Sequence, residues 1–369
     1  MSGTADEDGL ADIRRRIDAI DEQLQSLISE RARLALAVGA TKYPEPVGLS
    51  RGPRDYYRPE REAEILRMAL ARNQGPLRDE EIVRLFREIM SACLAQQEPM
   101  KVAFLGPEGT FSQAAVLKQF GHSVRTLAVP SIEEVFHDVE AGVADFGVVP
   151  VENSTEGTVG ATLDMLMNTP LYISGEIELR VRQHLLGRMT GLGGVAKVYS
   201  HQQSLAQCRA WLDQRLPGVE RIAVGSNATA ARLAAAEEGA AAIAGDTAAE
   251  VYELGILMEN IEDRPDNTTR FLVVGRERPG PSERDKTSLL LSSRHHAGAL
   301  QELLDPLSRH EVSMTRIESR PSRRRKWDYV FFVDIEGHYT EANVAAALSE
   351  LEAAAAWFRI LGSYPVAIL

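Results

Sequence analysis

The spacing of hydrophobic and polar positions divides the chain into three regions with different periodicities. Across residues 10–98, apolar side chains recur at intervals of three and four, which predicts an all-helical region. Across residues 101–275, helical stretches alternate with short apolar runs, which predicts an α/β architecture. Five of these runs are predicted as buried strands, at 101–105, 144–151, 195–200, 221–224 and 241–244. Residues 286–369 follow the order βαββαβ, with the final strand expected at Val366–Leu369, which predicts a small ferredoxin-like α+β domain. We therefore expect a multidomain chain.

One charged residue interrupts the apolar face of the first predicted helix. This face runs from Leu10 to Val38, and Arg31 occupies a position where the spacing predicts a hydrophobic side chain. An unpaired buried guanidinium would cost several kcal/mol, so Arg31 needs an anion. Either a ligand or a carboxylate on a neighbouring helix would provide it. Lys42 lies on the same face about 16 Å further along, so the two long side chains can converge on one ligand.

A second arginine of the first helix bears on whether the site belongs to one chain or two. Arg14 lies about 25 Å from Arg31 on the same helix, at about 1.5 Å per residue. Both cannot bind one small acid from a single chain. A shared ligand therefore requires two long helices that pair antiparallel across a dimer. On the third predicted helix, the amide of Gln97 interrupts another apolar face.

The α/β region contains a polar cluster directly after a buried strand. The apolar run 146–151 predicts a strand buried on both faces, and residues 152–158 follow its carboxyl end. We expect Ser, Thr and Asn of this cluster to cap a helix near 158–167, whose free N–H groups and dipole favour an anion. An ordinary helix cap without a ligand is the alternative.

Three other polar turns follow predicted strands of the same region. They comprise residues 106–112, 200–204 and 226–229. Ligands of α/β proteins bind beyond the carboxyl ends of the strands, so these turns predict one cleft between two lobes. The region has neither a Walker lysine motif nor a Gly-x-Gly-x-x-Gly motif, which argues against a nucleotide ligand.

The composition restricts the partners of the chain. Its 369 residues, 44% of them hydrophobic, are enough for two or three domains with real cores. The net charge of −12 argues against nucleic acid or an anionic membrane surface as the main partner. No signal-type or membrane-spanning segment is evident, so the cytoplasm is the expected location. The two cysteines, Cys93 and Cys208, predict neither a disulfide framework nor a zinc site.

The helical region carries a combination of residues known from one enzyme family. These are Arg14, the pair Glu30–Arg31, the run Val38–Lys42, the pair Arg61–Glu62 and Gln97. With them, residues 10–98 resemble the all-helical chorismate mutases. The resemblance implies a pericyclic rearrangement of chorismate to prephenate. Such a reaction needs a fixed substrate conformation and charge stabilisation, without a nucleophile, metal or proton donor.

The resemblance to the mutases also implies roles for individual residues. Arg31 and Arg14 of the partner subunit are expected to bind the two carboxylates of chorismate. Lys42 and Gln97 are expected to contact the ether oxygen, and Glu62 to hold the ring hydroxyl.

Three further positions of this region are expected near the substrate. Arg61 follows the family pattern. Arg58 stands where many relatives have an acid, and Cys93 stands where a serine is common, so the direct roles of these two are open.

The α/β region resembles a second enzyme family, the prephenate dehydratases, over about residues 101–275. The resemblance rests on the triplet Thr269–Phe271, the run Pro150–Ser154 and the turn Gly106–Gly109. It implies two lobes arranged as in periplasmic solute-binding proteins, an essential Thr269, and Arg270 steering a substrate carboxylate. The other expected substrate-binding residues are Glu152, Asn153, Ser154, Thr155, Ser200, Gln207, Asn227 and Phe271.

Dehydration of prephenate requires assistance at one position. The loss of carbon dioxide supplies the electrons that make the ring aromatic, so the leaving hydroxyl is the group that needs a donor. A threonine hydroxyl can serve where its neighbours stabilise the resulting charge. Thr269 either delivers the proton or orients the hydroxyl, and His201 is another candidate donor.

The last region resembles ACT regulatory domains over about residues 286–369. Two motifs carry the resemblance, Gly298-Ala299-Leu300 and Glu318-Ser319-Arg320-Pro321. In this family both motifs imply that phenylalanine binds at a subunit interface. A dimerisation domain without a ligand is the alternative.

Together, the three resemblances predict a bifunctional enzyme with domains at 1–98, 101–275 and 286–369. Its expected partners are chorismate, prephenate, the allosteric ligand phenylalanine and at least one further copy of the chain. No metal or other cofactor is implied. An arogenate dehydratase, acting on the amino counterpart of prephenate, is one alternative. An amino-acid sensor without catalysis is another, although the intact catalytic residues argue against it.

Overall fold

The chain folds into a helical region, two α/β lobes and a small α+β domain, so the predicted multidomain architecture is confirmed. The computed structural model describes residues 3–42, 57–294, 296–321 and 329–369, with side chains from residue 9 onwards.

The helical region has one long helix whose apolar face is exposed in the single chain. Its helices are α1 (Gly3–Lys42), α2 (Pro59–Arg72) and α3 (Asp79–Ala95). Ile13, Leu27 and Leu34 of α1 are 53%, 61% and 61% exposed. A row of large apolar side chains at this exposure is typical of a surface that another chain covers.

The α/β region consists of two lobes, each with its own sheet. The first lobe comprises β1 (Lys101–Leu105), α4 (Phe111–Phe120), β2 (Arg125–Val129), α5 (Ile132–Glu140), β3 (Phe146–Asn153), β4 (Gly157–Thr158), α6 (Gly160–Leu166) and β5 (Tyr172–Arg180). The second comprises β6 (His184–Gly187), β7 (Lys197–His201), α7 (Gln202–Gln207), α8 (Arg209–Arg215), β8 (Glu220–Val224), α9 (Asn227–Ala236), β9 (Ala240–Ala244), α10 (Asp246–Val251) and β10 (Gly255–Met258). The chain then returns to the first lobe as β11 (Thr268–Gly275).

The strand orders explain why the two lobes face each other across a cleft. The first sheet has the order β2-β1-β3-β11-β5, with β4 paired to β3, and the second has the order β10-β6-β9-β7-β8. Because β11 runs antiparallel to β3 and β5, its first residues lie beside the last residues of β3 and β5, at one end of the strands. The polar residues that follow β3 and those that precede β11 therefore lie close together at this end of the sheet.

The polar cluster 152–158 forms a β-hairpin, so the prediction that it caps a helix is wrong. Residues Glu152 and Asn153 end β3, and they pair with Thr158 and Gly157 of β4. Asn153 Oδ1 accepts hydrogen bonds from the backbone N–H groups of residues 155 and 156, which satisfies the turn locally. Helix α6 begins two residues later, and its N-cap residue Val159 offers no side-chain cap.

The C-terminal α+β domain packs its sheet against the first lobe. It comprises β12 (Asp285–Ser292), α11 (Ala299–Arg309), β13 (Met314–Pro321), β14 (Tyr329–Glu336), α12 (Ala342–Ala354) and β15 (Trp357–Pro365). The sheet order is β13-β14-β12-β15. The final strand is β15, so the predicted strand at Val366–Leu369 is wrong. Instead, the backbone carbonyls of Ile368 and Leu369 accept hydrogen bonds from Arg87 of α3.

Side chains of β11 alternate between two different cores. Phe271 and Val273 pack with Phe104 on the face covered by α4. Leu272 lies on the opposite face, where the core includes Tyr364 of the C-terminal domain. This alternation follows from the two-residue repeat of a strand. It decides which side chains at the start of β11 reach the cleft.

Candidate active sites

A hydrogen-bonded pair lies at the edge of the first lobe that faces the second. Asn153 and Thr269 are directly opposite each other on β3 and β11. Asn153 Nδ2 donates to Thr269 Oγ1 at 2.8 Å and to Asn267 Oδ1 at 2.8 Å. Because Thr269 Oγ1 accepts from an amide, its own proton remains available for another acceptor. The threonine is 8% exposed.

The pair is linked to the second lobe through a chain of amides. Asn267 Nδ2 donates to Gln207 Oε1 at 3.2 Å. Gln183 Nε2 in turn donates to Gln207 Oε1 at 3.3 Å and to Ser204 Oγ at 3.0 Å. Both lobes are therefore joined by polar side chains at the base of the cleft.

Two further predicted residues belong to this network. Asn227 Nδ2 donates to Ser204 Oγ at 2.8 Å, and Ser200 Oγ donates to Asn227 Oδ1 at 3.1 Å. The structure thus brings together five residues predicted from sequence: Asn153, Ser200, Gln207, Asn227 and Thr269. It adds Gln183, Ser204 and Asn267. Of these, Ser204 stands inside the polar turn 200–204 that the sequence already marked, and Asn267 stands two residues before the triplet Thr269–Phe271.

A cavity of about 260 Å³ opens between the lobes. Leu179, the strand partner of Thr269, lines it. So do three cationic side chains that sequence reasoning missed, Lys118, Arg180 and Arg182. Burial lowers the pKa of Lys118. Asp246 also lines the cavity, so the lining carries three cationic side chains and one carboxylate. A small acid with two carboxylates matches this positive excess.

Three predicted substrate-binding residues point away from the cleft. Glu152 and Arg270 are strand partners, and their side chains face the C-terminal domain, where each meets groups of opposite charge. Phe271 is 2% exposed within the core under α4. Strand alternation explains Glu152 and Arg270, because Asn153 and Thr269 occupy the positions that face the cleft. Phe271 is on the same face of β11 as Thr269, but it lies one step further into the sheet.

The network around Arg270 is an ionic contact between domains. Its guanidinium lies 2.8 Å from Glu176 of β5 and 2.7 Å from Asp334 of β14, and it donates to Tyr364 Oη at 3.1 Å. Lys286 completes the cluster at 2.7 Å from Glu176. A guanidinium held in this way links the first lobe to the C-terminal domain.

The other predicted residues of the hairpin are exposed. Ser154 Oγ accepts a hydrogen bond from the backbone of Thr268 at 3.0 Å, which fixes the hairpin to β11. Thr155 lies in the exposed turn.

The other candidate proton donor, His201, is the N-cap of α7 in the second lobe, where its Nδ1 accepts a hydrogen bond from the backbone N–H of Gln203.

The candidate mutase residues gather around the C-terminal part of α1. Gln97 Nε2 donates to the carbonyl of Ala35 at 3.0 Å. A Cβ at Gly39 would collide with the Gln97 amide, so this glycine permits the close approach. Gln97 Oε1 is buried and has no hydrogen-bond partner among the residues that the structure describes. Arg31 and Lys42 lie on the same stretch of helix.

Arg14 occupies the same unbroken helix as Arg31. Since α1 is continuous from Gly3 to Lys42, the two arginines are about 25 Å apart along its axis. One chain cannot present both to a single small ligand.

In the single chain, the carboxylate of Glu62 contacts protein side chains. Its carboxylate lies 3.5 Å from Arg87 Nε, and it also hydrogen-bonds with Tyr57. Burial raises the pKa of Glu62, although the nearby guanidinium of Arg87 opposes this shift. The described structure therefore places Glu62 in a buried cluster next to the C-terminal segment.

Two of the remaining predicted residues of the helical region form ion pairs, and the third is buried. Arg58 pairs with Glu60 at 2.6 Å, and Arg61 pairs with Glu64 on the surface. Cys93 is 2% exposed.

The predicted regulatory motifs lie at a helix start and on an edge strand. Gly298 has φ of 85° and is the N-cap of α11, a conformation that favours glycine. Ala299 and Leu300 form the first turn. Glu318, Ser319, Arg320 and Pro321 belong to β13, the edge strand. The Arg320 guanidinium lies 3.0 Å from Asp164 of α6 in the first lobe.

Two kinds of feature are absent from the described parts of the chain. No cluster of three or more His, Cys, Asp or Glu side chains suited to a metal ion occurs there. No described helix is long and apolar enough to span a membrane.

Three protein families match consecutive segments of the chain. Residues 13–98 match chorismate mutase type II, residues 102–279 match prephenate dehydratase, and residues 287–353 match the ACT domain. The matched segments cover the same three regions that differ in fold.

Relatives match over their full length. The bifunctional chorismate mutase/prephenate dehydratase of Pseudomonas aeruginosa is 52% identical over 366 residues, covering 99% of this chain and 100% of its own length. The enzyme of the same description from Aquifex aeolicus is 44% identical over 98% of this chain and 99% of its own length. Among solved structures, the prephenate dehydratase of Arthrobacter aurescens in complex with L-Phe has a TM-score of 0.66 at 35% identity, covering 72% of this chain and 90% of its own. The chain therefore belongs to the family of bifunctional chorismate mutase/prephenate dehydratases.

Proposed function

We propose that this chain converts chorismate to prephenate and prephenate to phenylpyruvate, and that phenylalanine inhibits the second reaction. The observation that carries the proposal is the inter-lobe site. There Asn153 donates to Thr269, and Leu179, the strand partner of Thr269, lines a cavity of about 260 Å³ with three cationic side chains. Membership of a family with both activities supports the same assignment.

In the dehydratase reaction, two bonds of prephenate break while the ring becomes aromatic. The bond to the ring carboxylate breaks and releases carbon dioxide, and its electron pair completes the aromatic ring. The C–O bond at the opposite ring carbon breaks, and the hydroxyl leaves as water after taking one proton. Thr269 donates towards this oxygen, while Asn153 donates to Thr269 Oγ1 and stabilises negative charge there.

The cationic cavity supplies the binding partners of the substrate. Arg180 and Arg182 are positioned to bind a carboxylate, and Lys118 adds a third positive charge. These residues replace Arg270 as the proposed carboxylate partners, since Arg270 is held between domains.

The mutase reaction is assigned to the helical region of two chains. Arg31, Lys42 and Gln97 of one chain, with Arg14 of the partner subunit, form the proposed site. Charge grows on the ether oxygen as its bond breaks, and Lys42 and Gln97 stabilise it. Glu62 is left out of this set because its carboxylate pairs with Arg87.

A homodimer is required by this assignment. The exposed apolar face of α1 and the exposed Leu85 and Phe86 of α3 provide a surface for the second copy.

We place the domain limits at 1–98, 101–275 and 286–369. The cytoplasmic location stays a prediction.

The regulatory proposal concerns the C-terminal domain. Gly298–Leu300 and β13 are the proposed binding elements for phenylalanine. Support comes from the ACT match and from the related dehydratase solved with L-Phe. A ligand can inhibit only if its affinity differs between active and less active arrangements.

A time course with the purified chain tests the two activities. Chorismate is supplied, and prephenate and phenylpyruvate are followed together. We expect transient prephenate followed by phenylpyruvate. Arogenate is supplied in a parallel reaction, and its slower turnover is expected. Unchanged chorismate would contradict the mutase assignment, and faster turnover of arogenate than of prephenate would contradict the substrate assignment.

A further inference from the structure

One side chain of the C-terminal domain reaches the hairpin that carries Asn153. Arg316 lies on β13, and its Nε is 2.9 Å from Glu152 Oε2. Its Nη2 also donates to Thr158 Oγ1 at 3.4 Å. The arginine side chain is 15% exposed, so it is largely enclosed between the two domains.

Arg316 also lies 4.0 Å from Glu318 of its own strand, and the two hairpin groups that it contacts belong to opposite strands of that hairpin. Glu152 of β3 and Thr158 of β4 are cross-strand partners. An arginine that bonds to both holds the hairpin at a fixed position. The residue after Glu152 is Asn153, which donates to Thr269 Oγ1 at 2.8 Å. A shift of the hairpin would therefore move this amide relative to the threonine.

A second arginine of the same strand reinforces the contact. Arg316 and Arg320 lie four residues apart on β13, so their side chains leave the same face of the strand. Arg320 reaches Asp164 at 3.0 Å, and its guanidinium fills the space beside Gly160 at the start of α6. Strand β13 thus contacts the hairpin and the helix that follows it.

We propose that Arg316 is a positioning residue for the dehydratase reaction. It acts through Glu152 and Thr158 and keeps Asn153 in place against Thr269. The inference rests on the proposed function of the inter-lobe site. It also gives the C-terminal domain a direct route to that site, because Arg316 precedes the motif Glu318–Pro321 on the same strand.

The exposure of Glu152 limits how much its ion pair with Arg316 contributes to folding stability. Glu152 is 42% exposed, and ion pairs with a solvent-exposed member contribute little to folding. Loss of the contact should therefore change catalysis more than stability. Small displacements of a catalytic group lower turnover strongly, by up to about a hundredfold for an ångström.

The test uses Arg316→Ala in the full-length chain, with Arg309→Ala as the matched control. Arg309 is also an arginine of the C-terminal domain with carboxylate partners, Asp305 and Glu350, but its partners lie within that domain. We expect Arg316→Ala to lower kcat for prephenate on the order of tenfold with a smaller change in KM. Chorismate turnover and the thermal unfolding temperature should match those of Arg309→Ala.

Two further variants test the route through Glu152. Arg316→Lys, which keeps the charge, should recover part of kcat. Glu152→Gln should lower kcat, and the double variant with Arg316→Ala should be no slower than the slower single variant, because both remove one contact.

Specific results would overturn the proposal. These are an unchanged kcat in Arg316→Ala, additive losses in the double variant, or a parallel fall of both activities with the unfolding temperature. Failure of the proposed function itself would look different, because the wild-type chain would not turn over prephenate.

Discussion

The proposed role of the Thr269 hydroxyl as a donor rests on the hydrogen bond that its oxygen accepts. Asn153 donates to its oxygen, so the free proton can point towards a leaving group. The sequence marked both residues, but it gave no means of telling them apart from their neighbours Glu152 and Arg270, whose side chains face the C-terminal domain. The motif identifies a segment, whereas strand alternation decides which of its side chains reach the cleft. Knowing that requires the strand pairing.

The cationic lining of the cavity leads to a prediction about substrate affinity. Arg182→Gln should raise KM for prephenate about tenfold or more, since a hydrogen bond to a charged group contributes about 1.5–3 kcal/mol. Chorismate turnover should stay unchanged. The control is Arg209→Gln, which removes an exposed arginine of the second lobe. A KM equal to that of the control would remove Arg182 from the substrate site.

The buried carboxylate of Glu62 predicts a pH dependence of stability. Burial raises its pKa above the ordinary value of 4.5 in the folded state. A group with a raised folded pKa stabilises the fold fully below its unfolded pKa, and this contribution is lost as pH rises through the folded pKa. The unfolding temperature of the wild type, relative to Glu62→Gln, should therefore decrease as pH rises above about 4.5.

The comparison uses thermal unfolding at several pH values, with Glu133→Gln as the control for an exposed carboxylate. A difference between wild type and Glu62→Gln that is constant or increases with pH would contradict the burial argument.

At the scale of elements, local patterns predicted some strands and missed others. The five strands expected between residues 101 and 244 are present within two residues of the predicted limits. Strand β5 was missed because its buried Glu176 interrupts the apolar pattern, and the partners of Glu176 are Arg270 and Lys286, far along the chain. Strand β15 was missed because its sequence is also shaped by a distant part of the chain. Its residue Gly362 packs against the backbone of Ile173 in the first lobe.

The long helix α1 predicts complementation between inactive chains. Arg14→Ala and Arg31→Ala should each abolish mutase activity. After subunit exchange at equal concentrations, about one quarter of the wild-type activity should return, because half the dimers are mixed and one of their two sites is complete. Activity of the mixture is measured alongside mass spectrometry of the dimers. Mixed dimers without mutase activity would rule out the shared site.

At the scale of the whole molecule, the domains share cores and charges. The C-terminal sheet packs Phe332 and Tyr364 against the same core as Leu272 of the first lobe. Arg87 of α3 binds the last two carbonyls of the chain, which joins the helical region to the C-terminus. Removing the C-terminal domain would expose this core, so a point variant is the better test of regulation.

Gly298→Val should weaken inhibition by phenylalanine. A β-branched residue does not tolerate φ of 85°, so the start of α11 must change conformation. We expect the phenylalanine concentration for half-inhibition to rise about tenfold, equivalent to about 1.4 kcal/mol of binding. Uninhibited prephenate turnover should be retained.

The matched control is Gly218→Val in the second lobe. Gly218 also has positive φ, 77°, with open space around its Cβ position, but it lies outside the C-terminal domain. Equal inhibition of both variants and the wild type would place phenylalanine binding elsewhere.

The central claim is that Thr269 serves the dehydratase step alone, while the helical region performs the mutase step. The most direct measurement supplies chorismate to purified Thr269→Ala and follows both products over time. We expect chorismate to disappear at the wild-type rate and prephenate to accumulate, with phenylpyruvate formation slower by about a hundredfold or more, the usual contribution of a positioned proton donor. Formation of phenylpyruvate at a near wild-type rate would contradict the account.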